Sequence, residues 1–179
     1  FDSKIKNEGD KLLENVILKH NNSNNLNKNN SNNSNKTIVS IHVRRGDYIK
    51  YDNYHIILPL MYYINAINKI EEDHNDVFYI VCSDDIEWCK RVFYFIKHKA
   101  YFSEGNEDII DMYFMSQSDI RIISNSSFSL LTCYFNIKTK QEPKSKLKMN
   151  ICPTVWFGNK KNCFNIDDVY EASLNFCKV

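Results

Sequence analysis

Three times along this chain a short apolar run is followed by a stretch whose apolar residues recur at helical spacing. The runs are TIVSIHV (37–43), VFYIVCS (77–83) and DIRIIS (119–124). The stretches that follow are LPLMYYINAINKI (58–70), DDIEWCKRVFYFI (84–96) and SSFSLLTCYFN (126–136). β-Branched runs of this length read as buried strands, and the stretches between them as amphipathic helices. In 58–70, Pro59 stands near the helix start, and Tyr63, Ala66, Ile67 and Ile70 share one face. Alternation of this kind predicts an α/β fold, a parallel sheet with helices on both faces. A short strand at 100–103, a helix at 107–117, a strand at 149–152 and a closing helix at 167–178 complete the expected order.

Ahead of the first strand the pattern is different. Residues 10–19 place Leu12, Leu13, Val16 and Ile17 at helical spacing. Then NNSNNLNKNNSNNSNK (21–36) offers one apolar residue. Such a tract buries too little surface to offset the entropy of ordering it, and a disordered insertion is expected. Its N-x-S/T triplets, at Asn21, Asn29, Asn32 and Asn35, arise by chance in this composition. The expected organisation is a helical remnant over 1–20, the insertion over 21–36 and an α/β domain over 37–179.

The 179 residues carry a net charge of +1, which argues against a broad nucleic-acid-binding surface and requires any anion site to be local. Six cysteines, Cys82, Cys89, Cys133, Cys152, Cys163 and Cys177, form no CxxC pair, so small buried hydrophobes are expected. No His/Asp/Glu spacing reads as a metal site. The chain starts at Phe1 without a signal-peptide pattern, and a fragment is expected, with any membrane anchor outside it.

Ligands of parallel α/β sheets bind beyond the carboxyl ends of the strands. Three polar clusters fall there: Arg44, Arg45 and Asp47; Ser83, Asp84 and Asp85; and residues 124–127. A guanidinium fits phosphate bidentately and stays charged. Side chains alternate along a strand, so one arginine should face a ligand and the other pair with a carboxylate such as Asp47. The serines at 126–127 open a helix, a natural seat for an anion as well as an ordinary cap. The RGD tripeptide at 45–47 abuts a buried strand, not an exposed loop tip. On its residues alone, Asp111 reads as solvent-facing and His42 as a satisfied core histidine.

HVRRGDY (42–48), LPLMYYINAI (58–67), SDDIEWCK (83–90) and DMYFMSQSDIRIISNSSFS (111–129) together resemble the alpha-1,2-fucosyltransferases of glycosyltransferase family 11. The resemblance covers about residues 37–157. It implies the Rossmann-like, nucleotide-sugar-binding half of a GT-B enzyme, with the acceptor half largely missing. It also implies inverting, metal-independent transfer of L-fucose from GDP-β-L-fucose to a galactose-containing acceptor. By the resemblance, Arg44 binds the diphosphate, with Arg45 and Asp47 as its supporting pair. Asp111 reads guanine beside His42, and Ser126 and Ser127 contact phosphate near Phe128. Asp52, with Asp47 and His55 as rivals, stands as the candidate base. Leu130, Leu131 and Thr132 depart from the family, whose members often carry tryptophans and small residues there. A GDP-sugar-binding relative without transferase activity is the alternative. Localisation would be Golgi or other membrane for a eukaryotic member and cytoplasmic for a viral or bacterial one.

Overall fold

A computed structural model describes residues 1–24, 36–135, 149–158, 170 and 176–179. Its centre is a six-stranded sheet: β1 (Thr37–Val43), β2 (Val77–Ser83), β3 (Ala100–Phe102), β4 (Ile120–Ile122), β5 (Met149–Cys152) and β6 (Phe176–Lys178). Every neighbouring pair is parallel. The strand order is β3-β2-β1-β4-β5-β6, the doubly wound arrangement. The α/β expectation is met.

Alternation along β1 and β2 sorts the two cores. Val39, Ile41 and Val43, with Val77, Tyr79 and Val81, face one side. There they meet α2 (Leu60–Asp73) through Tyr62, Tyr63, Ala66, Ile67 and Ile70, and α3 (Ile86–Val92) through Cys89. Ile38, Phe78, Ile80 and Cys82 face the other side. That face is covered by α4 (Asp108–Gln117) and by α1 (Ser3–Asn24), whose Leu12, Leu13, Val16 and Ile17 pack against it. Each fully buried side chain of this size contributes roughly 1.5–3 kcal/mol. α1 approaches α4 closely at Gly9, where an added Cβ would lie 2.2 Å from the Tyr113 ring. A fifth helix, α5 (Ser127–Tyr134), follows β4. Pro59 is the residue capping α2, as its fixed φ suits.

Some expectations change. Helix α1 continues through 21–24, into the Asn-rich tract, and Lys36 at the other end is tied to Asn21 (2.9 Å) and Asp76 (3.7 Å). The rest of the tract, 25–35, lies outside the described residues. The expected helix at 167–178 is contradicted at its end: residues 176–178 pair with β5 as a strand, because an open parallel edge offers unpaired backbone groups. Most of that segment, like 136–148, lies outside the described residues. The helix expected over 84–96 divides into α3 and a 3-10 segment, Tyr94–Lys99. Cys82, Cys89, Cys133 and Cys152 are buried free thiols, and Cys177 is a half-buried one. Among the described residues no helix is long and apolar enough to cross a membrane.

Among the described residues the largest fully buried side chain is Arg121, on β4. Its guanidinium donates to the carbonyls of Met115 (2.6 Å) and Ser116 (2.6 Å) and to Asn150 Oδ1 (3.2 Å). It thereby gives the carbonyls near the end of α4 a charged donor in a site closed to water.

Candidate functional site

From β1 the chain winds outward through β2 and β3, then returns to lay β4 on the other side of β1. The loops leaving β1 and β4 therefore diverge, and a crevice opens at their carboxyl ends. A cleft of about 250 Å³ lies there. His42, Arg44 and Tyr48 reach it from β1 and the turn after it, and Ser83 and Asp84 from the end of β2. Asp108 and Asp111 come from the first turn of α4, and Ser126, Ser127 and Phe128 from the start of α5.

Arg44 and Arg45 part at the strand end, as alternation requires. Arg44 turns into the cleft, where its guanidinium meets Asp47 (2.8 Å) and Asp84 (3.0 Å). Arg45 turns toward α3. It pairs with Asp85 (3.1 Å) and lies over the Trp88 ring, 4.1 Å from its centroid. Asp85 also accepts from Trp88 N (3.2 Å) as the cap of α3, so one carboxylate holds both the arginine and the ring beneath it. This corrects the expected pairing. Asp47 supports Arg44 rather than Arg45, because the 3-10 turn Asp47–Ile49 brings residue i+3 back beneath Arg44. Arg45 does not line the cleft and acts on its loop, where its N–H also donates to Asp84 Oδ1 (2.9 Å). Gly46 is required by close approach: a Cβ there would stand 2.6 Å from Asp84 Oδ2.

His42 is both a satisfied core histidine and part of the cleft wall. Its Nδ1 shares a 2.7 Å hydrogen bond with the Ser124 hydroxyl, and its ring faces Phe128 with centroids 5.1 Å apart. Burial, with the Arg44 charge second, lowers its pKa to about 3. The imidazole is therefore neutral at ordinary pH, a hydrogen-bonding group and not a cation. At the start of α5, Ser126 makes no side-chain cap bond. Its hydroxyl and the first N–H groups of the helix are thus not committed to each other.

Asp111 is half-buried, not solvent-facing. The Ser103 hydroxyl donates to its Oδ1, and the Cys82 thiol also bonds to the carboxyl. Burial chiefly, with the Asp108 charge, raises its pKa to about 6, against the pull of those two donors. The cleft thus gathers acids from α4 and from the end of β2, a cation from the turn after β1, and hydroxyls from β2 and α5.

Of the expected site residues, the fold gathers His42, Arg44, Asp111, Ser126, Ser127 and Phe128 at one cleft, with Asp47 at Arg44. It does not bring Asp52 there; that residue is exposed in the turn before α2. His55 is one layer back, stacked on Tyr48 with centroids 4.2 Å apart. Tyr48, Ser83, Asp84 and Asp108 line the cleft without having been singled out as binding residues. Asp84 stood in a polar cluster at a strand end, which was its signal. Asn125 was also missed as a clasp: its Nδ2 donates to Ile56 O and Trp156 O, both 2.9 Å away. Among the described residues no group of three or more His, Cys, Asp or Glu could hold a metal ion.

A doubly wound sheet with an arginine and a helix start converging at its switch point defines a class of α/β protein whose ligands bind beyond the strand ends. Within that class the model of glycosyl transferase family 11 matches residues 4–161, and the chain belongs to this family. It is 36% identical over 125 residues to an alpha-1,2-colitosyltransferase of Escherichia coli, covering 66% of this chain and 41% of that protein. It is 34% identical over 137 residues to the O-antigen biosynthesis glycosyltransferase WbnK of Escherichia coli, covering 72% and 42%. A galactoside 2-alpha-L-fucosyltransferase of Bos taurus matches at 25% over 110 residues, covering 55% of this chain and 28% of that one. The chain thus spans well under half the length of these relatives. Among solved structures, the NodZ alpha-1,6-fucosyltransferase co-crystallised with GDP aligns at 19% identity and a TM-score of 0.46, over 72% of this chain and 40% of that one.

Proposed function

We propose that this chain is the donor-binding half of an inverting glycosyltransferase that moves L-fucose from GDP-β-L-fucose to a galactoside hydroxyl, the O2 position. The observation that carries the reading is the cleft that brings Arg44, the start of α5 and Asp111 together. A diphosphate needs a cation and N–H donors, and a donor-rich purine edge needs an ionised acceptor. The names of two relatives, a 1,2-colitosyl- and a 2-alpha-L-fucosyltransferase, support transfer to O2.

In this mechanism an acceptor hydroxyl attacks the anomeric carbon from the face opposite the diphosphate. The C1–O bond breaks, GDP leaves with the electron pair, and a base takes the hydroxyl proton. Charge grows on the departing phosphate oxygen. Arg44, held by Asp47 and Asp84, and the uncapped N–H groups of α5 are preorganised for that charge, so that no metal is required. Asp47 is committed to Arg44, which leaves Asp52, with His55 as its rival, as the candidate base once an acceptor half is in place.

The test is calorimetric titration with GDP-fucose and GDP, with and without EDTA, beside Arg44→Ala. The reading expects chelator-insensitive binding that is lost in the variant, and acceptor-dependent GDP release. Equal binding by parent and variant would sink it. Binding without release across galactoside acceptors would leave a sugar-nucleotide-binding relative instead.

A further inference from the structure

A carboxylate that reads N–H donors must stay ionised, with acceptor positions turned to the ligand. Behind Asp111 stands a hydroxyl whose single proton could go elsewhere. Ser103 is 6% exposed, and its Oγ donates to Asp111 Oδ1. Asn106 determines that direction. Its Nδ2, which can only donate, lies 2.8 Å from Ser103 Oγ and 3.2 Å from the Tyr101 hydroxyl. With its oxygen accepting from Asn106, Ser103 has its proton turned to Asp111. Neither Ser103 nor Asn106 lines the cleft.

We propose that Asn106 and Ser103 form a relay that keeps Asp111 an acceptor, so that the cleft prefers a base edge with N–H donors over one presenting a lone pair. This rests on the nucleotide reading above. Both are positioning residues that act through Asp111. The groups facing that carboxyl are Ser103 from the loop after β3, Cys82 from β2 and Asp108 from its own helix. Asp108 favours the protonated form, whereas Ser103 and Cys82 favour the ionised one.

Removal of the Ser103 donor should therefore carry the carboxyl to higher pH. The experiment is titration of the full chain with GDP and with ADP from pH 5.5 to 8.5, for the parent, Ser103→Ala, Ser103→Thr, Asn106→Asp and Asn106→Leu. In Ser103→Ala the low-pH edge of GDP binding should move up by about one pH unit, and at pH 6.5 the preference for GDP over ADP should narrow about tenfold. Ser103→Thr should restore both. Asn106→Asp offers Ser103 an acceptor instead of a donor and should shift the edge likewise. Asn106→Leu, which removes the donor without adding a charge, should shift the edge as well and separates the relay from the Coulombic effect of a second carboxylate. A Ser103→Ala edge coincident with the parent's overturns the relay and leaves the nucleotide site standing. A parent that binds no GDP at any pH overturns both. Carboxyl carbon NMR of the ligand-free chain tests the relay without nucleotide: the Asp111 midpoint should rise in Ser103→Ala, and an unmoved midpoint overturns it.

Discussion

Arg44 and Arg121 sit on neighbouring strands' paths and do opposite work. Arg121 is fully buried, and its hydrogen bonds go to neutral oxygens at the end of α4 and on β5. Arg44 is a third exposed and stands between two carboxylates at the strand end. The first closes off backbone groups that water cannot reach. The second is held in place while part of its surface stays open to a ligand. Where an arginine's partners are neutral and buried, the fold depends on it. Where they are charged and half-exposed, the ion pairs are worth about 1 kcal/mol or less, and what they secure is orientation.

Substitutions can break or sharpen that contrast. Arg121→Met should cost the most, about 3 kcal/mol or more, since three buried oxygens lose a charged donor. Urea unfolding measures it, and a midpoint close to the parent's would mean that Arg121 is a passenger. Arg44→Ala should leave that midpoint within about 1 kcal/mol. It should nevertheless remove roughly 3 kcal/mol of transition-state stabilisation, by analogy with loss of one oxyanion donor. Fucose transfer by the assembled enzyme at the parent rate would contradict the assignment.

Asp111→Asn extends the contrast to an acid. The carboxyl's pKa is raised to about 6, above its unfolded value, so its ionised form opposes folding. This group's contribution is fully present below about pH 4 and is lost as pH rises through 6. Asp111→Asn should therefore unfold at higher temperature than the parent at pH 7.5, with a gap that shrinks toward pH 4, while GDP binding is lost. A pH-independent gap would mean that Asp111 is not the titrating group. The smallest effect is expected from Trp88→Ala. Loss of the ring under Arg45 should weaken GDP binding by about 1 kcal/mol, about fivefold, through the loop carrying Arg44. A loss as large as that of Arg44→Ala would place Arg45 and Trp88 in direct contact with the ligand.

Helix and strand identities were legible wherever burial set the pattern. Val39, Ile41 and Val43 point one way because a strand alternates, and Tyr63, Ala66, Ile67 and Ile70 share a face because a helix turns every 3.6 residues. The convergence of three polar clusters was legible too, because strand ends in a parallel sheet share one edge. The pairings inside the site were not. Asp47 beneath Arg44, Asp85 beneath Arg45 and Ser103 behind Asp111 all depend on how turns and separate elements meet.

By its sequence alone this chain was bound to form a parallel α/β sheet with arginines, serines and acids at the strand ends, since apolar periodicity and strand direction are local properties. Only the tertiary structure decided that β4 lies beside β1, opening the cleft at their divergence. It also decided that Asp111, the acid that local pattern assigns to solvent, is drawn against Cys82 and Ser103. Burial is a property of neighbours from distant parts of the chain, and a carboxylate's charge responds to those neighbours more than to the residues beside it.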